Sequence, residues 1–280
     1  MVRPLPIAPI MKRRDFLTVA GAAGVTAAMT NNAKAQTRRA ERRPARPVKR
    51  EFIELRQYRV KNDDKKKLLV EILDTAFIPA LKTQGVGPVG VFVSHPSEEH
   101  FKDAVFVLIP HATAESFMNL TPKLLANKKF REAAAPAFLT TSKDPVYETY
   151  QSTLMFGFQK CPKVEAPDLG KDRLFQLRYY RSFNLDRNTW KVHMFDEGGE
   201  LPLFRECAMH PIFFGETIFG DRMPNLTYML GFENNESRES AWKKFVGRPE
   251  WQKMKADPLY KDTATEITNI VLSPSDGSEI

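Results

Sequence analysis

Between residues 51 and 60 apolar and polar side chains alternate. This predicts a strand with Glu54, Arg56 and Tyr58 on one face and Ile53 and Leu55 on the other. A polar turn, Lys61-Asn62-Asp63-Asp64, follows, in which Asp63 or Asp64 can cap a helix. Leu68, Leu69, Ile72, Leu73, Ala76, Phe77, Ala80 and Leu81 then recur at helical spacing; Pro79 should kink or end the last turn, and Gly85 should stop it. Residues 89–94 and 104–109 read as strands joined by a polar turn. Residues 113–135 read as a helical region broken near Thr121-Pro122, and 147–158 as a closing strand.

The second half repeats the order. Strands are predicted at 173–182, 212–219, 226–233 and 265–272, helices at 189–197, 237–245 and 250–256, and Gly198-Gly199 is a strong breaker. The residues repeat as well as the pattern. Phe52-Ile53-Glu54-Leu55-Arg56-Gln57-Tyr58-Arg59 returns as Leu174-Phe175-Gln176-Leu177-Arg178-Tyr179-Tyr180-Arg181, an offset of 122 positions, and Val105 to Leu108 return as Thr227 to Leu230 at the same offset. Phe130 pairs with Trp251 at an offset of 121. That period is too long for a solenoid unit of roughly 20–50 residues, so the chain reads as two tandem modules, 51–160 and 173–273. A linker, 161–172, holding Pro162, Pro167 and Gly170, separates them, and 274–280 is left as a tail. A βαββαβ unit is the ferredoxin-like α+β pattern, one antiparallel sheet with helices on one face. The bare face must be covered, and a second copy packed sheet to sheet covers it, giving a closed or nearly closed intramolecular barrel.

The first 35 residues read as an address. Lys12-Arg13-Arg14-Asp15-Phe16-Leu17 is a twin-arginine signature, Leu17 to Met29 is weakly apolar, and Ala33-Lys34-Ala35 offers cleavage after Ala35. The apolar run is well short of the roughly 20 residues a membrane span needs. Periplasmic or other export through the twin-arginine machinery is expected; an uncleaved anchor is the other reading, and Met11 is a second candidate start. Removing this segment changes the charge. The chain carries a net +8, but residues 1–50 hold twelve of its 42 Lys and Arg and two of its 34 Asp and Glu, which leaves 30 basic and 32 acidic side chains in 51–280, a net of −2. No nucleic-acid partner is implied. The Arg-rich stretch 36–50 reads as a disordered basic linker. Cys161 and Cys207 lie outside any Cys-x-x-Cys spacing, which excludes c-type haem attachment and argues against a zinc ribbon. Whether the two pair as a disulfide is open.

In the second half, several segments together resemble the NIPSNAP family of the dimeric α/β-barrel superfamily. They are Gln176-Leu177-Arg178-Tyr179-Tyr180, Gly199-Glu200-Leu201-Pro202, Phe214-Gly215-Glu216-Thr217, Tyr228-Met229-Leu230 and the run Ser237 to Phe245 followed by Pro249-Glu250-Trp251-Gln252. Gly247-Arg248 stands where that family often has an aspartate before Pro-Glu-Trp. The first half matches through Glu54-Leu55-Arg56-Gln57-Tyr58 and Asn127-Lys128-Lys129-Phe130 but lacks both tryptophans. The resemblance spans about residues 52–273. It implies the barrel fold and no assigned reaction; related barrel families include monooxygenases, haem-degrading enzymes and dechlorinases, a kinship of fold.

The Arg/Tyr face of each opening strand is expected to point at the partner sheet, bringing Arg56 and Arg178 to one interior. A buried arginine needs a carboxylate or an anionic ligand, and Glu54 and Glu216 are the candidate partners. One reading is a small-molecule cavity favouring anions, built from Arg56, Tyr58, Arg178, Tyr180, His210 and Glu216; the other is a structural ion pair that registers the two sheets. A cofactor-independent oxygenase would need a dry aromatic pocket, for which Phe213, Phe214, Phe219, Tyr228, Trp242 and Trp251 are candidates; a non-catalytic interaction module would need none. His95, His100 and His111 bracket one hairpin without metal-ligand spacing, so no metal site is expected, and no cofactor is indicated. No Gly-x-Ser-x-Gly, no Ser/His/Asp order and no Gly-rich phosphate loop appears. Self-association into homo-oligomers is open.

Overall fold

The computed structural model describes residues 48–280, so Arg13, Arg14, the cleavage site at Ala35 and nearly all of the basic linker lie outside the described residues. The first half runs β1 (Phe52–Arg59), α1 (Asp63–Ile72), α2 (Ile78–Lys82), β2 (Gly90–Ser94), β3 (Ala104–His111), α3 (Ala114–Ala126), α4 (Lys128–Ala133), α5 (Ala135–Phe138) and β4 (Thr149–Gly157). Asn62, rather than Asp63 or Asp64, caps α1 by accepting from the Lys65 N–H; the two aspartates occupy the first turn, where the helix dipole favours them. A π-helical turn, Leu73–Phe77, joins α1 to α2, and Pro79 sits in the first turn of α2, where its missing N–H is tolerated. The break expected at Thr121-Pro122 is absent. Helix α3 passes through Pro122, whose lost hydrogen bond would have gone to the carbonyl of Met118, a residue 73% exposed and open to water. The interruption falls at Asn127, which leaves helical geometry and caps α4 through the Phe130 N–H.

The second half runs β5 (Leu174–Arg181), α6 (Leu185–Asp196), α7 (Glu200–Glu206), β6 (His210–Phe219), β7 (Asn225–Phe232), α8 (Asn235–Val246), α9 (Pro249–Ala256) and β8 (Glu266–Pro274). Gly199 does break the chain, with φ +98°, but α7 restarts directly behind it, a helix that hydrophobic spacing did not predict.

Each half forms a four-stranded antiparallel sheet, β4-β1-β3-β2 and β8-β5-β7-β6, and the edges join at β2–β8 and β4–β6 to close an eight-stranded barrel. Closure leaves no open sheet edge in the barrel. The far part of its lumen is filled by Ile53, Phe92, Phe106, Phe175, Phe213 and Met229, as expected of a barrel this narrow. Two further cores lie between the sheets and their helices, one around Tyr58, Phe77 and Leu120, the other around Tyr180, Phe204, Tyr228 and Phe245. Residues 275–280 dock back on the first half. Asp74 accepts from Ser275 and the Gly277 N–H, Glu279 accepts from the Val89 N–H, and Ile280 buries its side chain in the lumen core.

The lumen core corrects one expectation. Ile53, Leu55, Phe175 and Leu177 face the lumen, and the Arg56/Tyr58 and Arg178/Tyr180 sets face the helices, each in its own half. The arginines therefore do not share an interior. Under the helices Arg56 finds the rings of Phe77 and Tyr150 and Arg178 finds Trp242, whereas deep in the lumen they would meet only hydrocarbon.

Candidate functional site

In the first half Glu54 makes four contacts with three side chains. Arg56 Nε lies 2.6 Å from Oε1, Arg56 Nη2 3.3 Å from Oε2, Ser152 Oγ 2.8 Å from Oε1 and His111 Nε2 3.1 Å from Oε2. Burial alone would raise its pKa, but His111, Arg56 and Ser152 together outweigh desolvation and hold the carboxyl down to about 2. Arg56 in turn reaches Tyr58 Oη at 3.4 Å, and its guanidinium is pushed above its ordinary value by the neighbouring Glu54 and Tyr58 against the opposing pull of burial. The Glu54 carboxylate and the Arg56 guanidinium thus satisfy each other.

The second half keeps the arginine and changes its surroundings. Gln176 replaces the glutamate and accepts from Trp242 Nε1 at 2.6 Å. Arg178 lies 4.5 Å over the Trp242 ring and donates to Tyr180 Oη at 2.9 Å, but has no carboxylate among its partners, and its Nε is buried without a hydrogen bond. Nearby Lys191 and Glu200 face each other at 3.6 Å, an ion pair just too long to hydrogen-bond, which is why Glu200 Oε2 is also unpaired. Desolvation pushes the Glu200 carboxyl up and the Lys191 amine down. The expected Arg178–Glu216 pairing is not formed; Glu216 accepts from Asn188 at 2.8 Å.

An open cavity of about 280 Å³ lies at the mouth of the barrel, on the lumen face. Along that face each opening strand passes from apolar to polar, Ile53-Leu55-Gln57-Arg59 in β1 and Phe175-Leu177-Tyr179-Arg181 in β5. Leu55 floors the cavity, Gln57 and Tyr179 line its sides, and Arg59 and Arg181 stand at the rim, their side chains about half exposed at 54% and 51%. The internal twofold thus brings an arginine pair to one shared space, but the pair is Arg59 and Arg181. Arg59 is bound to Asp103 and Arg181 to Glu266, which also accepts from Arg222 at 2.7 Å. Phe101 and Arg222, from the two hairpin loops, also line it, and both are non-glycine residues in the left-handed region, φ +61° and +54°. Such conformations cost energy and persist where the surroundings fix them. Asn225 fixes one of them by donating to the carbonyls of Asp221 and Arg222, and Ser94 Oγ fixes the other by donating to the Phe101 carbonyl. Burial raises the Tyr179 hydroxyl pKa, so it stays protonated and able to donate.

Of the sequence-predicted residues, Arg56 with Tyr58 and Arg178 with Tyr180 meet as pairs beneath the helices, and His210 and Glu216 lie at separate points of β6, none of them lining this cavity. The six aromatic candidates do not form one pocket: Phe213 is in the lumen, Phe219 is 72% exposed, and the others pack under the helices. His95 is half-buried and His100 exposed, while His111 is fully buried at the opposite end of β3; among the described residues no group of three or more metal-type ligands is assembled. Cys161 and Cys207 are free buried thiols, and burial pushes Cys161 up to about 12. No described helix is long and apolar enough to cross a membrane. The residues that sequence reasoning missed are Gln57, Arg59, Tyr179 and Arg181, although all four sit inside the repeated segment, and the duplicated arginine at its end was the available signal.

Comparison with known proteins gives the fold a context. No curated protein matches the chain. Among solved structures, a candidate monooxygenase from Fusobacterium nucleatum subsp. nucleatum is similar over 81% of this chain and 93% of its own, at 11% identity and a TM-score of 0.56. A candidate monooxygenase from Lactobacillus acidophilus NCFM is similar over 80% and 94%, at 10% identity and a TM-score of 0.54. Both likenesses concern the fold alone. An uncharacterized NIPSNAP-like domain protein from Burkholderia xenovorans, 18% identical, covers 38% of this chain and 89% of its own with a TM-score of 0.34. The NIPSNAP family model matches residues 175–279, the span from β5 through β8.

Proposed function

We propose that the protein binds a small organic anion, such as a carboxylate, in the barrel-mouth cavity. The observation that carries this reading is the convergence of Arg59 and Arg181, one from each half, above a lumen floored by Leu55 and flanked by Tyr179. Arginines offer charge and a planar fork to a carboxylate, Gln57 and the Tyr179 hydroxyl offer directional hydrogen bonds, and the apolar floor takes a ring or short chain. The neighbours named as candidate monooxygenases raise a cofactor-independent oxygenase as the second reading. That chemistry needs a base at the substrate. Here Tyr179 is held protonated and Glu266 is committed to Arg181 and Arg222, which favours binding.

Calorimetric titration with a panel of aromatic and aliphatic carboxylates, each beside its neutral amide, tests this. Binding of a carboxylate but not its amide, weakened about tenfold or more in Arg59→Ala with Arg181→Ala, is the expected result. Equal binding of both forms, or of none in the panel, would sink it. Export is part of the same proposal and rests on Arg13 and Arg14 before the Ala33-Lys34-Ala35 site. Fractionation should find wild type outside the cytoplasm and the Arg13→Lys, Arg14→Lys variant retained within.

A further inference from the structure

Strand β3 ends on His111, and α3 starts three residues later, so the first turn of α3 sits over the imidazole. Ser116 Oγ lies 3.3 Å from His111 Nδ1, while His111 Nε2 lies 3.1 Å from Glu54 Oε2. Ser116 and His111, five residues apart, thus join the sequence-distant Glu54 in a serine–imidazole–carboxylate chain. Arg56 and Ser152 hold Glu54 from its other sides. An ionised carboxylate at Nε2 fixes the ring proton on that nitrogen, so Nδ1 presents its lone pair to the serine hydroxyl, as a general base requires. The ring nitrogens are exchanged relative to the usual serine triad, but proton transfer needs only reach and a free lone pair.

Two further observations separate this chain from ordinary core packing. First, its outer end is accessible: His111 and Glu54 are buried, Ser116 is half-buried, and Thr113, Ala114 and Glu115 beside it are exposed. Thr113 Oγ1 accepts from the Ser116 N–H at 3.1 Å and so sets the position of the turn. Second, the other half shows what the fold itself needs there. His111 pairs with Phe52 in register as Phe232 pairs with Leu174, and Glu54 occupies the position of Gln176. Helix α8 carries Ser237 three residues after its cap Asn234, as α3 carries Ser116 three after Thr113. The fold is therefore satisfied by Gln, Phe and Ser, and the first half carries Glu, His and Ser instead.

We propose that Ser116 is an activated nucleophile that accepts acyl groups from small activated esters, with His111 as its base and Glu54 positioning the imidazole. Ser116 Oγ attacks the ester carbonyl and its proton passes to His111 Nδ1. The bond to the alcohol breaks, and His111 returns the proton to the departing alkoxide. A water deprotonated by the same nitrogen then attacks the Ser116 ester, and as the bond to Ser116 Oγ breaks His111 returns the proton to that oxygen and the carboxylic acid leaves.

The test treats the purified chain with a fluorophosphonate probe and, separately, with p-nitrophenyl acetate, and locates adducts by peptide mass spectrometry. The expected result is one adduct, on Ser116, with nitrophenol release abolished in Ser116→Ala and reduced about 100-fold in His111→Phe. His111→Phe copies the residue of the second half, and its unfolding curve checks that the fold persists. For Glu54, proton–nitrogen correlation spectra should show His111 solely as the Nε2–H tautomer in wild type and as a mixture in Glu54→Gln, with slower labelling. Absence of an adduct on Ser116, adducts scattered over many serines, or Ser116 labelling that survives His111→Phe would overturn the proposal.

Discussion

Arg56 and Arg178 occupy the same position of a duplicated strand, face the same way under helices, and are accommodated by different physics. Arg56 is locked to Glu54, which is itself held by His111 and Ser152. Arg178 has the face of Trp242 and one tyrosine hydroxyl, with an unpaired Nε and a stretched Lys191–Glu200 pair nearby. Duplication has preserved the backbone slot while the solution for the charge diverged. A closed ion pair makes each partner dependent on the other; an arginine resting on an aromatic ring leaves no counter-charge behind when it is lost.

The comparison breaks first on stability. Arg56→Met should cost about 3–5 kcal/mol in urea unfolding, because it strands a buried carboxylate, whereas Arg178→Met should cost about 1–2 kcal/mol, the loss of a ring contact and a hydrogen bond. Equal costs would show that Glu54 is stabilised without its arginine. Acid sharpens the contrast next. The folded-state pKa of Glu54 is depressed from 4.5 to about 2, so its contribution of about 3 kcal/mol is complete above pH 4.5 and disappears as pH falls through about 2. Glu200 runs the other way: its folded pKa is raised, so its burial is least costly at low pH and stability declines as pH rises from its unfolded value through its folded one. Acid unfolding of Glu54→Gln and Glu200→Gln should therefore shift in opposite senses. Smaller effects belong to the cavity, where Tyr179→Phe should weaken carboxylate binding by about 1.5–3 kcal/mol, the worth of one hydrogen bond to a charged group, measured by calorimetry. Smallest is a control on the symmetry itself. Asn62 and Asn184 cap the equivalent helices α1 and α6 through Lys65 and Arg187 N–H groups, so Asn62→Ala and Asn184→Ala should each cost about 1 kcal/mol and match within error.

Alternation along β1 and β5 revealed which residues share a face, but not which face is the lumen. Both faces of each sheet are covered, so period two alone carries no inside–outside sign. The polar set Glu54, Arg56 and Tyr58 resembled a cavity lining, yet the cavity is made by the end of the other face, where Leu55 gives way to Gln57 and Arg59. That change becomes visible as a site only once Phe101 and Arg222 are seen to arrive from separate loops in left-handed conformations, which no local pattern announces. The Ser116–His111–Glu54 chain was hidden for the same reason: β1 pairing with β3 brings Glu54 and His111 together, and spacing along the chain does not. The tandem fold, by contrast, was legible because the repeat returns the same strand order, although pairing sets the offset at 122 for β1 and β5 and at 121 for β3 and β7, one residue from the 122 read along Val105 to Leu108.

The seam between β2 and β8 also sets a clock. Strand β2 ends at Ser94 and its partner begins at Glu266. A ribosome adding about 5–20 residues per second leaves that edge without its mate for roughly 10–35 s. Once β4 has been added within that interval, the growing first half is a four-stranded sheet with a bare apolar face and an unpaired border, the form of protein that chaperones hold and that neighbouring chains invade.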